Sequence, residues 1–197
     1  MKKWLMIAMV VLCAWMPLNV APAEALPNEN FESMIPVMDS ILRCCTENDM
    51  SYDASDPEFF WSVMYYYCVN WAQDDASCEV VEGELRVPAE RMKVFAKAFF
   101  DGVEAFPSLQ PDDVIRYDSD WQSYFMPLSD DSVNETVLKN TYDQPNGSIS
   151  AEAELVDPNG NVLATLHAFL VVNGESVNDE TQLPYSVSDA TVELKTE

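Results

Sequence analysis

Apolar residues recur with helical spacing through the first half of the chain and with alternating spacing through the second. Phe31, Met34, Ile35, Met38, Ile41, Leu42 and Cys45 fall at i, i+3, i+4, i+7 intervals, which is one face of a helix. Pro36 lies inside this run, so the helix either kinks there or begins with Pro36 in its first turn. A second run has clearer punctuation. Ser55 or Asp56 can cap it, Pro57 fits the first helical position, and Glu58 suits the positive N-terminal end. Phe60, Val63, Met64, Tyr67, Cys68 and Trp71 form its main stripe, while Phe59, Trp61, Tyr65 and Tyr66 lie elsewhere around it. A helix apolar almost all round is central, or lines a pocket. A third helix is predicted from Pro88, after a short extended stretch at 84–87, with Met92, Phe95, Ala96, Phe99, Phe100 and Val103 as its stripe. Arg91, Lys93 and Lys97 sit off that face and read as solvated.

From about residue 107 the spacing becomes that of strands. Ile149, Ala151, Ala153 and Leu155 alternate with Ser150, Glu152 and Glu154, as in a half-buried strand. Asp157-Pro158-Asn159-Gly160-Asn161 follows as a tight turn in which Gly160 can take positive φ. Residues 162–172 are apolar at both parities, which predicts a central strand covered on both faces. Pro145-Asn146-Gly147 and Asn173-Gly174 are turn signals, making 133–142 a partner strand. Residues 185–194 read as the last strand, with a parity change near Asp189 that predicts a bulge.

The predicted fold class is α+β: three N-terminal helices packed on a C-terminal antiparallel sheet of four or more strands. The order helix, helix, short strand, helix, strands also resembles cone-shaped folds such as the nuclear-transport-factor-like group. That resemblance is one of element order and implies no particular function.

The N-terminus changes the compartment. Lys2 and Lys3 precede thirteen apolar residues, Trp4 to Met16, and Ala23-Glu24-Ala25 follows Pro17. This is the pattern of a cleaved signal peptide spanning residues 1–25. The apolar run is shorter than the ~20 residues a membrane span needs. Residues 26–197 are therefore expected to form one exported domain, periplasmic or secreted, with no membrane insertion after cleavage.

Charge narrows the partners. The chain has 10 Lys+Arg against 34 Asp+Glu, and removal of Lys2, Lys3 and Glu24 leaves 8 against 33, a net charge of −25. Such a surface argues against nucleic acid, whose phosphates need clustered Lys and Arg, and against anionic lipid. With hydrophobic residues at 48% of the chain, a folded core outweighs disorder.

After cleavage four cysteines remain, Cys44, Cys45, Cys68 and Cys78. An even number in an exported domain predicts one or two disulfides, with three pairings open. Adjacent residues bridge poorly, which leaves links between helix 1 and Cys68 or Cys78. A simple antiparallel hairpin would place Cys68 ~17 Å beyond the start of helix 2, out of disulfide reach. No Cys-x-x-Cys spacing supports zinc or a redox centre.

The candidate chemistry is sparse. His167 is the sole histidine, mid-strand on a face with Leu163, Thr165, Phe169 and Val171, where it could line an apolar pocket and act as a base beside a carboxylate. Glu152 and Glu154 share the outward face of their strand. Asp112, Asp113, Asp118 and Asp120 are oxygen-rich, and Asp157, Asn159 and Asn161 resemble the opening of a calcium loop, but the twelfth position is Ala168 rather than Glu. No Gly-x-Ser-x-Gly elbow or Gly-rich phosphate loop occurs. Tyr117, Trp121, Tyr124 and Phe125 form a second aromatic group able to stack on a sugar or peptide. The sequence thus predicts an acidic binding or protein-interaction domain whose ligand-binding candidates are Trp61, Tyr65, Trp121, Tyr124 and His167. No metal or cofactor is implied, and the partner is an unidentified small ligand or protein. The alternative is a small hydrolase or isomerase with a pocket around His167.

Overall fold

The computed structural model describes residues 31–110, 114–129, 133–174 and 183–195. The predicted signal peptide lies outside the described residues, as do Asp112 and Asp113. The fold is α+β, with three helices and two antiparallel four-stranded sheets. Helix α1 (Ile35–Asn48) begins with Pro36 in its first turn and ends at Asp49, which takes the left-handed conformation at φ 53°. Helix α2 (Pro57–Trp71) is capped by the Asp56 side chain, which accepts from the Glu58 N–H. Helix α3 (Ala89–Phe99) follows Pro88. No helix among the described residues is long and apolar enough to cross a membrane.

The C-terminal sheet is a meander of β5 (Glu135–Asp143), β6 (Ile149–Val156), β7 (Val162–Val172) and β8 (Tyr185–Leu194), paired in chain order. Its inner face is lined by Ala151, Ala153, Leu155, Ala164, Leu166, Ala168 and Leu170, all buried. These small and aliphatic side chains let α1 lie close across the strands, where it touches all four. The predicted bulge appears as a register shift opposite Phe169 and Leu170.

The second sheet departs from the expected arrangement. Strands β3 (Arg116–Asp118) and β4 (Ser123–Pro127) do not join the C-terminal meander. They pair instead with β2 (Glu84–Pro88), which also pairs with β1 (Glu79–Val81), giving the order β1-β2-β4-β3. The two-residue turn Glu82-Gly83, both at positive φ, closes the β1–β2 hairpin, the geometry that matches strand twist. Helices α2 and α3 contact this sheet, α1 the other, and α3 also reaches β8. The helices therefore lie between two sheets rather than on one. Buried side chains from both sheets and all three helices form one continuous core.

Two further expectations are corrected. Strand β7 is central in its sheet but covered on one face only, because Phe169 is exposed and His167 half-buried on the other. Alternation was masked there because Leu163, Phe169 and Val171 are apolar on the open side. The cysteines are also unbridged: Cys44, Cys45, Cys68 and Cys78 are all free. Helices α1 and α2 do pack antiparallel, with Trp71 Nε1 donating to Asp39 and the Tyr66 hydroxyl to Glu47. Cys68 turns toward α3, its Sγ 4.0 Å from Met92 Sδ, and so misses α1.

Candidate ligand-binding clefts

Helix α2 is buried along Phe59, Phe60, Val63, Met64, Tyr67 and Cys68, and presents Glu58, Ser62, Tyr65, Tyr66, Asn70 and Trp71 as a partly open stripe. The stripe follows helical spacing, and it runs beside α1. Two clefts open along it, and the Tyr66 hydroxyl, at the edge of the first, donates to Glu47 at 2.7 Å.

The first cleft, about 270 Å³, is lined by Asn48, Glu58, Trp61, Ser62, Tyr65, Tyr66, Val114 and Ile115. Trp61 is 4% exposed and packs against Phe60, Phe106 and Tyr124 at centroid distances of 5.0, 5.6 and 5.4 Å. Its indole nitrogen has no hydrogen-bond partner among the described residues. Leaving such a donor buried and unpaired costs about 1–3 kcal/mol. Burial raises the Tyr65 hydroxyl above its ordinary pKa, against a lowering contribution from its bond to Ser129.

The second cleft, about 430 Å³, lies at the far end of the same helix pair and is lined by Ile35, Asp39, Arg43, Asn70, Trp71, Asn134, Glu135 and Thr136. Here the sequence signal went unread. Asp39 and Arg43 stand four apart on α1 and are buried, with Arg43 Nε 2.8 Å from Asp39 Oδ2. The carboxylate is fully engaged, since Oδ2 also accepts from Trp71 Nε1 at 3.1 Å and Oδ1 accepts from the Thr136 hydroxyl at 2.7 Å. Arg43 Nη2 donates to the Asn134 carbonyl at 2.7 Å, while Nη1 has no partner among the described residues. An i, i+4 acid–base pair usually reads as a solvated helix face. It would have been legible as buried only by noticing that apolar positions flank it on both sides.

The five sequence-predicted residues do not form one site. Trp61 and Tyr65 share the first cleft, and Tyr124, on β4, packs against Trp61 with its ring tilted. Trp121 lies on the opposite side of that sheet. It is 54% exposed, with the Arg86 guanidinium 5.1 Å above its ring, and Arg116 stacks 4.2 Å over neighbouring Phe125. His167 stands on the open face of the C-terminal sheet, its side chain 45% exposed, with Nδ1 3.8 Å from Glu152 Oε2. Glu154 on the same face is 3.0 Å from Lys139.

Two acidic turns have local work. Asp157 Oδ1 accepts from the Asn159 and Asn161 N–H groups, and Asp118 Oδ1 from those of Asp120 and Trp121. Among the described residues no group of three or more His, Cys, Asp or Glu is placed to hold a metal ion.

Comparison with protein families, with curated proteins and with solved structures finds no match.

Proposed function

We propose that the chain is an exported, soluble, acidic binding domain, and that the first cleft receives its small ligand. The observation that carries this is a cleft lined by Trp61, Tyr65 and Tyr66 of one helix, in which the Trp61 indole N–H is buried without a partner among the described residues. Rigid aromatic walls with a few convergent polar groups are the common build of small-ligand sites. Glu58, Ser62 and Asn48 supply those polar groups here. Export rests on the leader pattern of residues 1–25, and exclusion of nucleic acid on the excess of acidic residues. A cone-like wrapping of the C-terminal sheet around α1 belongs to the same proposal, supported by the contact of α1 with all four strands.

The catalytic alternative keeps one supporting observation, the His167–Glu152 pair. It is the weaker of the two, because that pair stands on an open sheet face without walls to exclude water.

The test is thermal unfolding of the exported chain against sugars, peptides, lipids and metabolites. A ligand at about 100 times its Kd stabilises by ~2.7 kcal/mol. Stabilisation that disappears in Tyr65→Ala upholds the proposal. A flat response across the panel would leave a protein partner as the better account.

A further inference from the structure

We infer that the second cleft, walled by Asp39, Arg43, Asn70, Trp71 and Glu135, is a separate binding site for a neutral, hydroxyl-rich ligand of the saccharide class. The argument begins with what the cleft offers for hydrogen bonding. At its floor, Arg43 is 6% exposed and its Nη1 is left without a partner among the described residues. A buried charged donor left unpaired calls for an oxygen acceptor, from water or from a ligand in the cleft. Along the wall, Asn70 Nδ2 donates to the Tyr66 carbonyl at 2.9 Å, and its Oδ1 adds an acceptor to the lining. Glu135 adds an exposed carboxylate at the rim, which only accepts at neutral pH. The site therefore combines one strong donor with two acceptors.

That combination discriminates between ligand classes. A simple anion satisfies Arg43 but meets Glu135, the Asn70 oxygen and the field of a chain with net charge −24. Asp39 already balances the guanidinium, so the floor carries no net positive charge to draw an anion in. A simple cation pairs with Glu135 but meets Arg43. Hydroxyl groups serve both needs, because each donates and accepts. Trp71 adds the remaining feature. Its ring is 41% exposed, and its nitrogen is tied to Asp39 at 3.1 Å, which holds the indole as a flat platform. A sugar ring presents an apolar C–H face to such a platform and a rim of hydroxyls to the polar groups beside it. A peptide backbone also carries donors and acceptors, but of the cleft's lining residues only Ile35 and Trp71 are apolar, which offers its side chains little, so the saccharide is favoured.

The experiment is titration of the exported chain, by calorimetry, with cellotriose, maltotriose and triacetylchitotriose, and with galacturonate and trialanine as the competing classes. At least one neutral trisaccharide should saturate. Its affinity should fall roughly tenfold or more in Trp71→Ala, fall in Asn70→Ala, and stay unchanged in Tyr65→Ala, which alters only the first cleft. Trp71→Phe should retain more affinity than Trp71→Ala, since it keeps a ring face. If Trp71→Ala does not fold, Asn70→Ala and Glu135→Lys alter the rim without touching the buried pair. Saturation by galacturonate or trialanine instead, at the same residues, would overturn the ligand class while preserving a site here. Saturation insensitive to Trp71 and Asn70, or no binding of any probe at millimolar concentration, would overturn the site itself. Neither result bears on the first cleft, whose test is Tyr65→Ala.

Discussion

Helices α1 and α2 lie side by side, yet their sequences reverse the usual relation between polarity and burial. Helix α1 carries Asp39, Ser40 and Arg43 and still buries all three. Helix α2 is apolar almost throughout and still leaves Tyr65, Tyr66 and Trp71 partly open. The difference lies in what surrounds each. A sheet covers one side of α1 and α2 the other, so its polar groups must satisfy one another, and Asp39 does so with three donors. Helix α2 has the core on one side only, and its surplus aromatic residues become the walls of clefts. Burial follows position between layers, and composition only follows from it where one face is free.

The largest expected effect breaks the α1 side of this contrast. Asp39→Ala leaves the Arg43 charge buried without compensation and should cost about 3–5 kcal/mol, measured by urea unfolding. Replacing both residues, Asp39→Leu with Arg43→Met, should recover most of that loss, because an apolar pair of similar volume is often neutral or better. If the single substitution costs little, water reaching Arg43 through the second cleft compensates its charge and the account of α1 fails.

Next comes an ordinary core truncation in each helix. Leu42→Ala in α1 and Met64→Ala in α2, both fully buried, should each cost about 2–5 kcal/mol. Equal losses would show that the two helices contribute apolar burial alike and differ only in their polar groups. A smaller effect is expected at the α2 N-terminus, where Asp56→Ala removes the side-chain cap on Glu58 and should cost ~1 kcal/mol. Tyr65→Ala should alter stability least, since the ring is partly open, while abolishing ligand stabilisation.

The thiols sharpen the comparison through pH. Burial, reinforced by Cys45, pushes Cys44 up to about 12, and burial pushes Cys45 up to about 11. Burial, with a contribution from Cys78, raises Cys68 on α2 well above its ordinary value. Folded pKa values above the unfolded one stabilise at low pH: the contribution is complete below about pH 8.5 and is lost as pH rises toward 11–12. Urea midpoints should therefore fall from pH 8 to pH 10.5. At pH 8 a thiol reagent should label Cys44, Cys45 and Cys68 slowly in the folded protein and rapidly after unfolding. Rapid labelling of the folded state would contradict the burial of these three thiols.

Much of the fold was legible because it rests on local signals. Asp56-Pro57-Glu58 marks a helix start by capping and fixed φ, and β8 occupies the predicted residues 185–194. The alternation over 149–155 gave the right face of β6 because that strand has one wet side. Strand β7 misled for the converse reason: apolar residues on its open face imitate two-sided burial. The β2 arm was legible as the extended stretch at 84–87, but its hairpin with β1 across Glu82-Gly83 was not, because β1 spans only three residues and shows no period. Half of the first cleft was legible, through the excess aromatic residues of α2. The second was not, since an acid–base pair four apart looks the same whether water or a sheet lies over it.

The sequence by itself determined the acidic surface, the helix starts, the turns and most strands, because caps, fixed dihedrals and alternation act over a few residues. Only the tertiary structure decided that β3 and β4 pair with β2 across α3, that the cysteines stay apart, and that Asp39 and Arg43 are buried. Those outcomes depend on which layers meet, and contact between distant segments is set by the summed packing of the core rather than by any short stretch of chain.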